Sequence, residues 1–377
     1  MAHRSSARVA SHAASAPHAA SASRAAPAPH AALAAHAASA SHAAPDSTAT
    51  AREGVVRSTI RFDHLGRRSV SMAYEAQGPA GAPATVVLGG ISAGRHLAPT
   101  ASDPSPGWWP GVVGGGAPLD PARDSLVGVD YLGGDSEDGL LRPVTSHDQA
   151  RAIAAVLDEL GIAAVSVAGA SYGGMVALAF AELFPARVAR LVILCAAHRT
   201  HPMATAIRSL QRSAAELGVA TGQAARGLAL ARALAMISYR SAREFEERFE
   251  SGPLSIGQPG RSPSCFPVEQ YLTARGADFV QRFDTERFLA LSESIDLHAT
   301  APGSLPPQTL LVSFDTDVLV PPWLVDELAT RSGGCPRHVT VPSIYGHDAF
   351  LKEVDAVATL LRARTPAVEA GTPEVVR

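Results

Sequence analysis

The stretch Val165-Ser-Val-Ala-Gly169-Ala-Ser171-Tyr-Gly173-Gly-Met175 decides how the rest of the chain is read. It passes from a short β-branched apolar run, through small residues, into an Ala-rich helical stretch expected to reach Phe184. Gly169-x-Ser171-x-Gly173 is the pattern of a nucleophile elbow, in the strand–turn–helix context that the pattern requires. The turn is so tight that the residues two positions either side of the serine need minimal side chains. Ser171 itself must occupy a strained backbone region, a cost met at functional sites. The N–H of Tyr172, at the start of the helix, then points at charge developing on a carbonyl attacked by Ser171.

A serine hydroxyl needs a base, and the base needs an orienting group. After such an elbow the acid and then the histidine follow in chain order. The strand signal Thr309 to Ser313 leads into Phe314-Asp315-Thr316-Asp317-Val-Leu-Val-Pro-Pro322. Asp317 lies deeper in this loop and is the expected acid; Asp315 is the reserve, its other role being to cap the turn. The strand signal His338 to Val341 leads into Ser343-Ile-Tyr-Gly346-His347-Asp348. His347 is the expected base, with Gly346 allowing close backbone approach. A second oxyanion donor should come from the loop after an early strand, Val86-Val-Leu-Gly-Gly-Ile-Ser-Ala-Gly94. A backbone N–H of Ile91 or Ser92 would face the same point as that of Tyr172.

Further short apolar strand signals fall at Thr85 to Leu88, Leu126 to Val129, Val165 to Ala168 and Arg190 to Leu194. Few polar residues interrupt them, as suits a parallel sheet buried on both faces. Helical stretches alternate with them. His147 to Leu160 is one, with Ser146 as expected N-cap and Gly161 as its stop. The pattern predicts an α/β fold with a mostly parallel central sheet and right-handed crossovers. Between about His198 and Leu305 the rhythm breaks into helical segments, including Gln223 to Ile237 and Ser241 to Phe249, with a loop over Ser255 to Pro267. This reads as an inserted helical lid over the carboxyl edge of the sheet, where ligands bind in such folds. The expected division is a tail over 1–52, a core over 53–197 and 306–365, a lid over 198–305 and a flexible tail over 366–377.

Composition narrows the function classes. Of 377 residues, 32 are Lys or Arg and 35 Asp or Glu, so the net charge of −3 gives no electrostatic reason to expect nucleic acid. No run of about 18 strongly apolar residues suggests a membrane span. The three cysteines, Cys195, Cys265 and Cys335, have neither paired nor metal-like spacing and fit a reducing cytoplasm. Cys195 closes an apolar run and reads as a small core hydrophobe. The first fifty residues are nearly all Ala, Ser, His and Pro and hold six of the fourteen histidines. They lack the large apolar side chains needed to offset the entropy of ordering and read as a disordered tail.

Longer motifs add a resemblance. Leu88-Gly-Gly-Ile-Ser-Ala-Gly-Arg-His-Leu97, Gly107-Trp-Trp109 with Val112-Val-Gly114, and Asp130-Tyr-Leu-Gly-Gly134 resemble segments of the homoserine O-acyltransferase family, on the α/β-hydrolase fold. So do Ile207-Arg-Ser-Leu-Gln-Arg212, Gln270-Tyr-Leu272 with Arg282-Phe-Asp284, Thr316-Asp317-Val-Leu and Gly346-His-Asp-Ala-Phe-Leu351. The resemblance runs from about Ile60 to Arg362. It implies a two-step transfer in methionine biosynthesis: Ser171 takes the acyl group from an acyl-CoA co-substrate, and L-homoserine then accepts it. It implies that Arg212 pairs with the amino acid's carboxylate, that Asp348 takes its ammonium, and that the molecule is a homodimer built through the lid. No metal or resident cofactor is implied.

The Gly90-Ile91-Ser92-Ala93 form of the oxyanion loop resembles the succinyl-transferring branch, where Arg95 or Ser92 would meet the extra carboxylate of succinyl-CoA. One departure is the acidic Asp135-Ser-Glu-Asp138 directly after Gly134, where relatives carry a longer small-residue loop. An acetyl donor, a serine acceptor, a plain esterase and a non-catalytic binding module remain as alternatives.

Overall fold

The computed structural model describes residues 51–134, 139–301, 303, 305–363 and the backbone of 374–375. The acidic segment 135–138 and nearly all of both expected tails lie outside the described residues. All six strand signals become strands of one sheet: β3 (Ala84–Leu88), β4 (Ser125–Val129), β5 (Val165–Ala170), β6 (Val188–Leu194), β7 (Thr309–Phe314) and β8 (Arg337–Val341). Their neighbours are parallel, in the order β4-β3-β5-β6-β7-β8. A two-residue β9 (Glu374–Val375) pairs parallel to β8.

An antiparallel hairpin of β1 (Ala51–Phe62) and β2 (Gly66–Gln77) extends the sheet through β2 and β4. No strand is expected here from the sequence, and the expected tail over 1–52 overlaps the first two residues of β1. Only one face of the hairpin is buried: Val56, Ile60, Phe62, Val70 and Met72 point inward, with exposed arginines and serines between them. That alternation belongs to an antiparallel pair with one wet face.

Successive residues of the parallel strands enter opposite cores. Leu191, Ile193 and Leu311 join one apolar cluster; Val192, Leu194, Leu310, Val312 and Phe314 join the other. The first cluster is covered by α1 (Ser146–Glu159), α2 (Tyr172–Leu183) and α8 (Pro322–Arg331), the second by Trp109, Phe350 of α9 (Ala349–Lys352) and α10 (Val354–Arg362). The cap of α1 is Thr145 rather than Ser146. The Thr145 hydroxyl accepts from Asp148 N–H, and the Asp148 carboxylate accepts from Thr145 N–H, which is a capping box. The Ser146 hydroxyl instead meets Nδ1 of buried His298 at 2.8 Å.

Between β6 and β7 the chain forms α3 (Pro202–Ala220), α4 (Ala224–Tyr239), α5 (Ala242–Arg248), α6 (Pro267–Val280) and α7 (Thr285–Asp296). Helices α3 and α4 form an antiparallel pair whose closest approach is at Gly218 and Gly227: a Cβ on Gly218 would lie 2.7 Å from Gly227 Cα.

Candidate active site

The serine stretch folds as its small residues require. Ser171 ends the turn between β5 and α2 with φ 55° and ψ −123°, a region that L-residues rarely enter. A Cβ on Gly169 would come within 2.3 Å of the Gly173 carbonyl oxygen, and one on Gly173 within 2.3 Å of the Leu88 oxygen. Only glycine lets the helix start cross the ends of two strands at this distance.

Three loops at the carboxyl edge of the sheet bring Ser171, His347 and Asp317 together. Ser171 Oγ lies 2.7 Å from His347 Nε2, and His347 Nδ1 lies 2.7 Å from Asp317 Oδ2. The carboxylate accepts from Nδ1–H, which leaves Nε2 free to accept the serine proton. The other oxygen of Asp317 accepts the N–H groups of Leu319 (2.9 Å) and Val320 (3.0 Å), so the buried acid is locked in its own loop. Asp315, the reserve acid, is exposed and accepts the N–H of Ser343 at 2.8 Å, tying the two loops together. Burial opposes charge on His347, but the charge of Asp317 and its hydrogen bond outweigh that and hold the imidazole above the usual histidine range. Cys195 is fully buried beside this pair; burial, with Asp317 and Asp348, pushes its thiol well up.

The expected oxyanion loop is a turn closed by Ala93 N–H donating to the Gly90 carbonyl at 2.9 Å, with Ile91 and Ser92 at its centre. The N–H groups of Ile91, Ser92 and Tyr172 have no acceptor among the described residues. The Tyr172 side chain is buried, its hydroxyl 2.6 Å from Ser294 Oγ.

The charged residues of the site are held in ion pairs with one another. Arg212, expected to pair with the amino acid's carboxylate, donates its guanidinium to Asp296 (2.6 Å) and to the carbonyl and hydroxyl of Ser292 (both 3.1 Å). Arg208, one turn earlier on α3, donates Nε to the other Asp296 oxygen at 2.8 Å. One carboxylate thus serves two nearly buried guanidiniums, leaving a surplus positive charge. Arg208 is close enough to act against protonation of His347. Arg95 or Ser92 is the residue expected to meet an acyl carboxylate. Ser92 is exposed, and Arg95 is tied through its main-chain N–H and guanidinium to Asp130.

Asp348 is nearly buried behind His347, 3.3 Å from Arg240, which also binds Glu244. Burial raises its carboxyl, against the pull of Arg240, His347 and Arg232. Arg232, to which the sequence alone gives no role, is the third of these charges. It lies over the rings of Phe279 (4.9 Å) and Tyr239 (5.4 Å) and has no carboxylate partner among the described residues. Tyr239 in turn lies 6.0 Å from the His347 ring. The sequence did hold a signal: Arg232, Met236 and Tyr239 share one face of α4, whose other residues are apolar apart from Arg226 and Ser238, an unusual place for an arginine.

Comparison with known proteins gives the family. The family model described as the alpha/beta hydrolase fold matches residues 86–354. The homoserine O-succinyltransferase of Xanthomonas campestris is 44% identical over 314 residues, which cover 82% of this chain and 83% of that protein. The homoserine O-acetyltransferase of Thermus thermophilus is 37% identical over 290 residues, covering 69% and 72%. The crystal structure of homoserine O-acetyltransferase from Bacillus anthracis superposes with a TM-score of 0.74 over 85% of this chain and all of that one, at 18% identity, a likeness of fold alone. With the elbow, the paired loops and these relatives in view, the chain belongs to the homoserine O-acyltransferase family of the α/β-hydrolase fold.

Proposed function

We propose that the chain transfers a succinyl group from succinyl-CoA to the hydroxyl of L-homoserine, through an acyl ester on Ser171, in methionine biosynthesis. The observation that carries the reading is charge: Arg208 shares one carboxylate with Arg212, Arg232 has no carboxylate partner among the described residues, and the two charges are felt at His347 and Asp348. A succinyl group and an amino acid each bring a carboxylate to that centre. An acetyl ester hydrolysed by water brings neither, and buried unmatched charge is costly.

In this scheme His347 Nε2 takes the Ser171 proton as Oγ attacks the thioester carbonyl. The N–H groups of Tyr172 and Ile91 hold the oxyanion. The carbon–sulfur bond then breaks, and the CoA thiol leaves with the proton from His347. The homoserine hydroxyl enters, gives its proton to His347 and attacks the acyl ester. Collapse of the second intermediate returns the proton to Ser171 and releases O-succinylhomoserine. Asp317 holds the imidazole in the tautomer needed and stabilises its charged form. Arg232 grips the amino acid's carboxylate and Asp348 its ammonium, while Arg212 holds Asp296 under Arg208. Arg208 then meets the far carboxylate of the succinyl group. The scheme calls on no metal or resident cofactor; acyl-CoA is a co-substrate.

The family resemblance and an exposed apolar stripe support a homodimer through the lid. Met203, Leu210 and Leu217 recur every seventh residue on α3, with Leu230 and Ile237 on α4, each at least half exposed. Among the described residues no helix is long and apolar enough to cross a membrane. With three free cysteines, the cytoplasm is the compartment proposed. The test is steady-state CoA release with succinyl-CoA or acetyl-CoA against homoserine or serine. The reading expects the highest kcat/KM for succinyl-CoA with homoserine. A clear acetyl or serine preference would move the assignment to that donor or acceptor, and full CoA release without any acceptor would make it a hydrolase.

A further inference from the structure

The turn that presents Ile91 N–H is gripped at both ends by two consecutive residues just beyond β4. Asp130 accepts the N–H of Arg95 at 2.8 Å and pairs with its guanidinium. Tyr131 donates its hydroxyl to the Gly89 carbonyl at 2.8 Å. The same carbonyl accepts the N–H of Gly173, two residues past the nucleophile, at 2.9 Å. Because the peptide unit is planar, two donors on the Gly89 oxygen fix the plane of the Gly89–Gly90 peptide. That plane sets the direction in which the chain enters the Gly90–Ala93 turn. There is little slack, since a Cβ on Gly89 would lie 2.5 Å from Ala93 Cβ. The buried ring of Tyr131 also packs edge-on against Tyr172, 4.9 Å between centroids, and Tyr172 supplies the other N–H. One side chain therefore supports both expected oxyanion donors.

We propose that Tyr131 is a positioning residue for the oxyanion hole: its hydroxyl, through the Gly89 carbonyl, sets Ile91 N–H relative to Tyr172 N–H, and Asp130 anchors the far end of the same loop. Burial pushes the phenol well up, so the hydroxyl stays a donor. The proposal rests on Ser171 as nucleophile but on neither the donor nor the acceptor assigned above.

The test is pre-steady-state turnover of p-nitrophenyl acetate by Tyr131→Phe and Asp130→Asn. The nitrophenolate burst counts working sites, so rates are read per titrated site. Removing an oxyanion donor outright costs about 10²–10³ in rate; displacing one should cost about tenfold. Tyr131→Phe is expected to slow acylation and deacylation by the same factor, because both steps pass through an oxyanion at one place, with KM for the ester within about twofold. Asp130→Asn should show a smaller but equally balanced loss. A Tyr131→Phe enzyme with a lowered Tm and unchanged rates per site has lost only packing, and the proposal falls. Slowing of one step alone overturns it too. If Tyr131→Phe does not fold, unchanged rates in Asp130→Asn overturn it.

Discussion

Replacing Ser171 by glycine should leave a more stable protein than replacing it by alanine, the reverse of the usual order. The backbone at Ser171, φ 55° and ψ −123°, is the mirror image of φ −55° and ψ 123°. An L-residue pays strain there, whereas glycine enters the mirror-β region about as readily as its opposite. Strain at such positions is of order 1–3 kcal/mol. Against it stands the entropy that glycine loses on folding, about 0.5–1 kcal/mol relative to alanine. Both variants lose the hydroxyl and its hydrogen bond to His347, so that cost cancels in the comparison. The glycine variant should therefore exceed the alanine variant by up to about 2.5 kcal/mol, an advantage of a few degrees or less in Tm for a chain of this size. Denaturant unfolding of the two variants, with m-values compared to confirm the same transition, measures it. An alanine variant more stable than the glycine variant by the ordinary 0.5–1 kcal/mol would show that the elbow stores no strain.

Asp317→Asn should lower kcat by about 10⁴ through loss of the correct imidazole tautomer and of charge stabilisation. The same change moves the acid limb of kcat/KM to lower pH. His347 must be neutral to act, its pKa is held up by Asp317, and removing that carboxylate lets it fall. An acid limb that stays in place would assign it to another group. Arg208→Met should cost about 10–150-fold in kcat/KM for succinyl-CoA, the worth of a charge-assisted hydrogen bond of roughly 1.5–3 kcal/mol, and leave acetyl-CoA little changed. Equal losses with both donors would remove Arg208 from acyl recognition.

The parallel strands and the elbow could be read from the chain because each is a local pattern: an apolar run bounded by turns, or two glycines around a serine. Asp317 and His347 could be placed because each follows such a run in a fixed order. The β1–β2 hairpin escaped because a one-sided strand such as Val56 to Phe62 alternates with arginines and serines and has no continuous apolar signal. The charge pairing of the inserted helices escaped for another reason. Arg212 fits a family motif, but its partner Asp296 lies 84 residues further on, and nothing local announces which cation is left with charge to spare. Arg208 and Arg232 gain their proposed roles only once α3, α4 and α7 are packed together.

The most direct test of the central claim is to mix the enzyme with succinyl-CoA alone and follow Ser171 by intact and peptide mass spectrometry. The account predicts one succinyl group per chain, on the peptide containing Ser171, discharged to O-succinylhomoserine when homoserine is added. It predicts no adduct in the Ser171→Ala variant. Turnover with homoserine in that variant at the wild-type rate, or a stable succinyl adduct on another residue only, would contradict it.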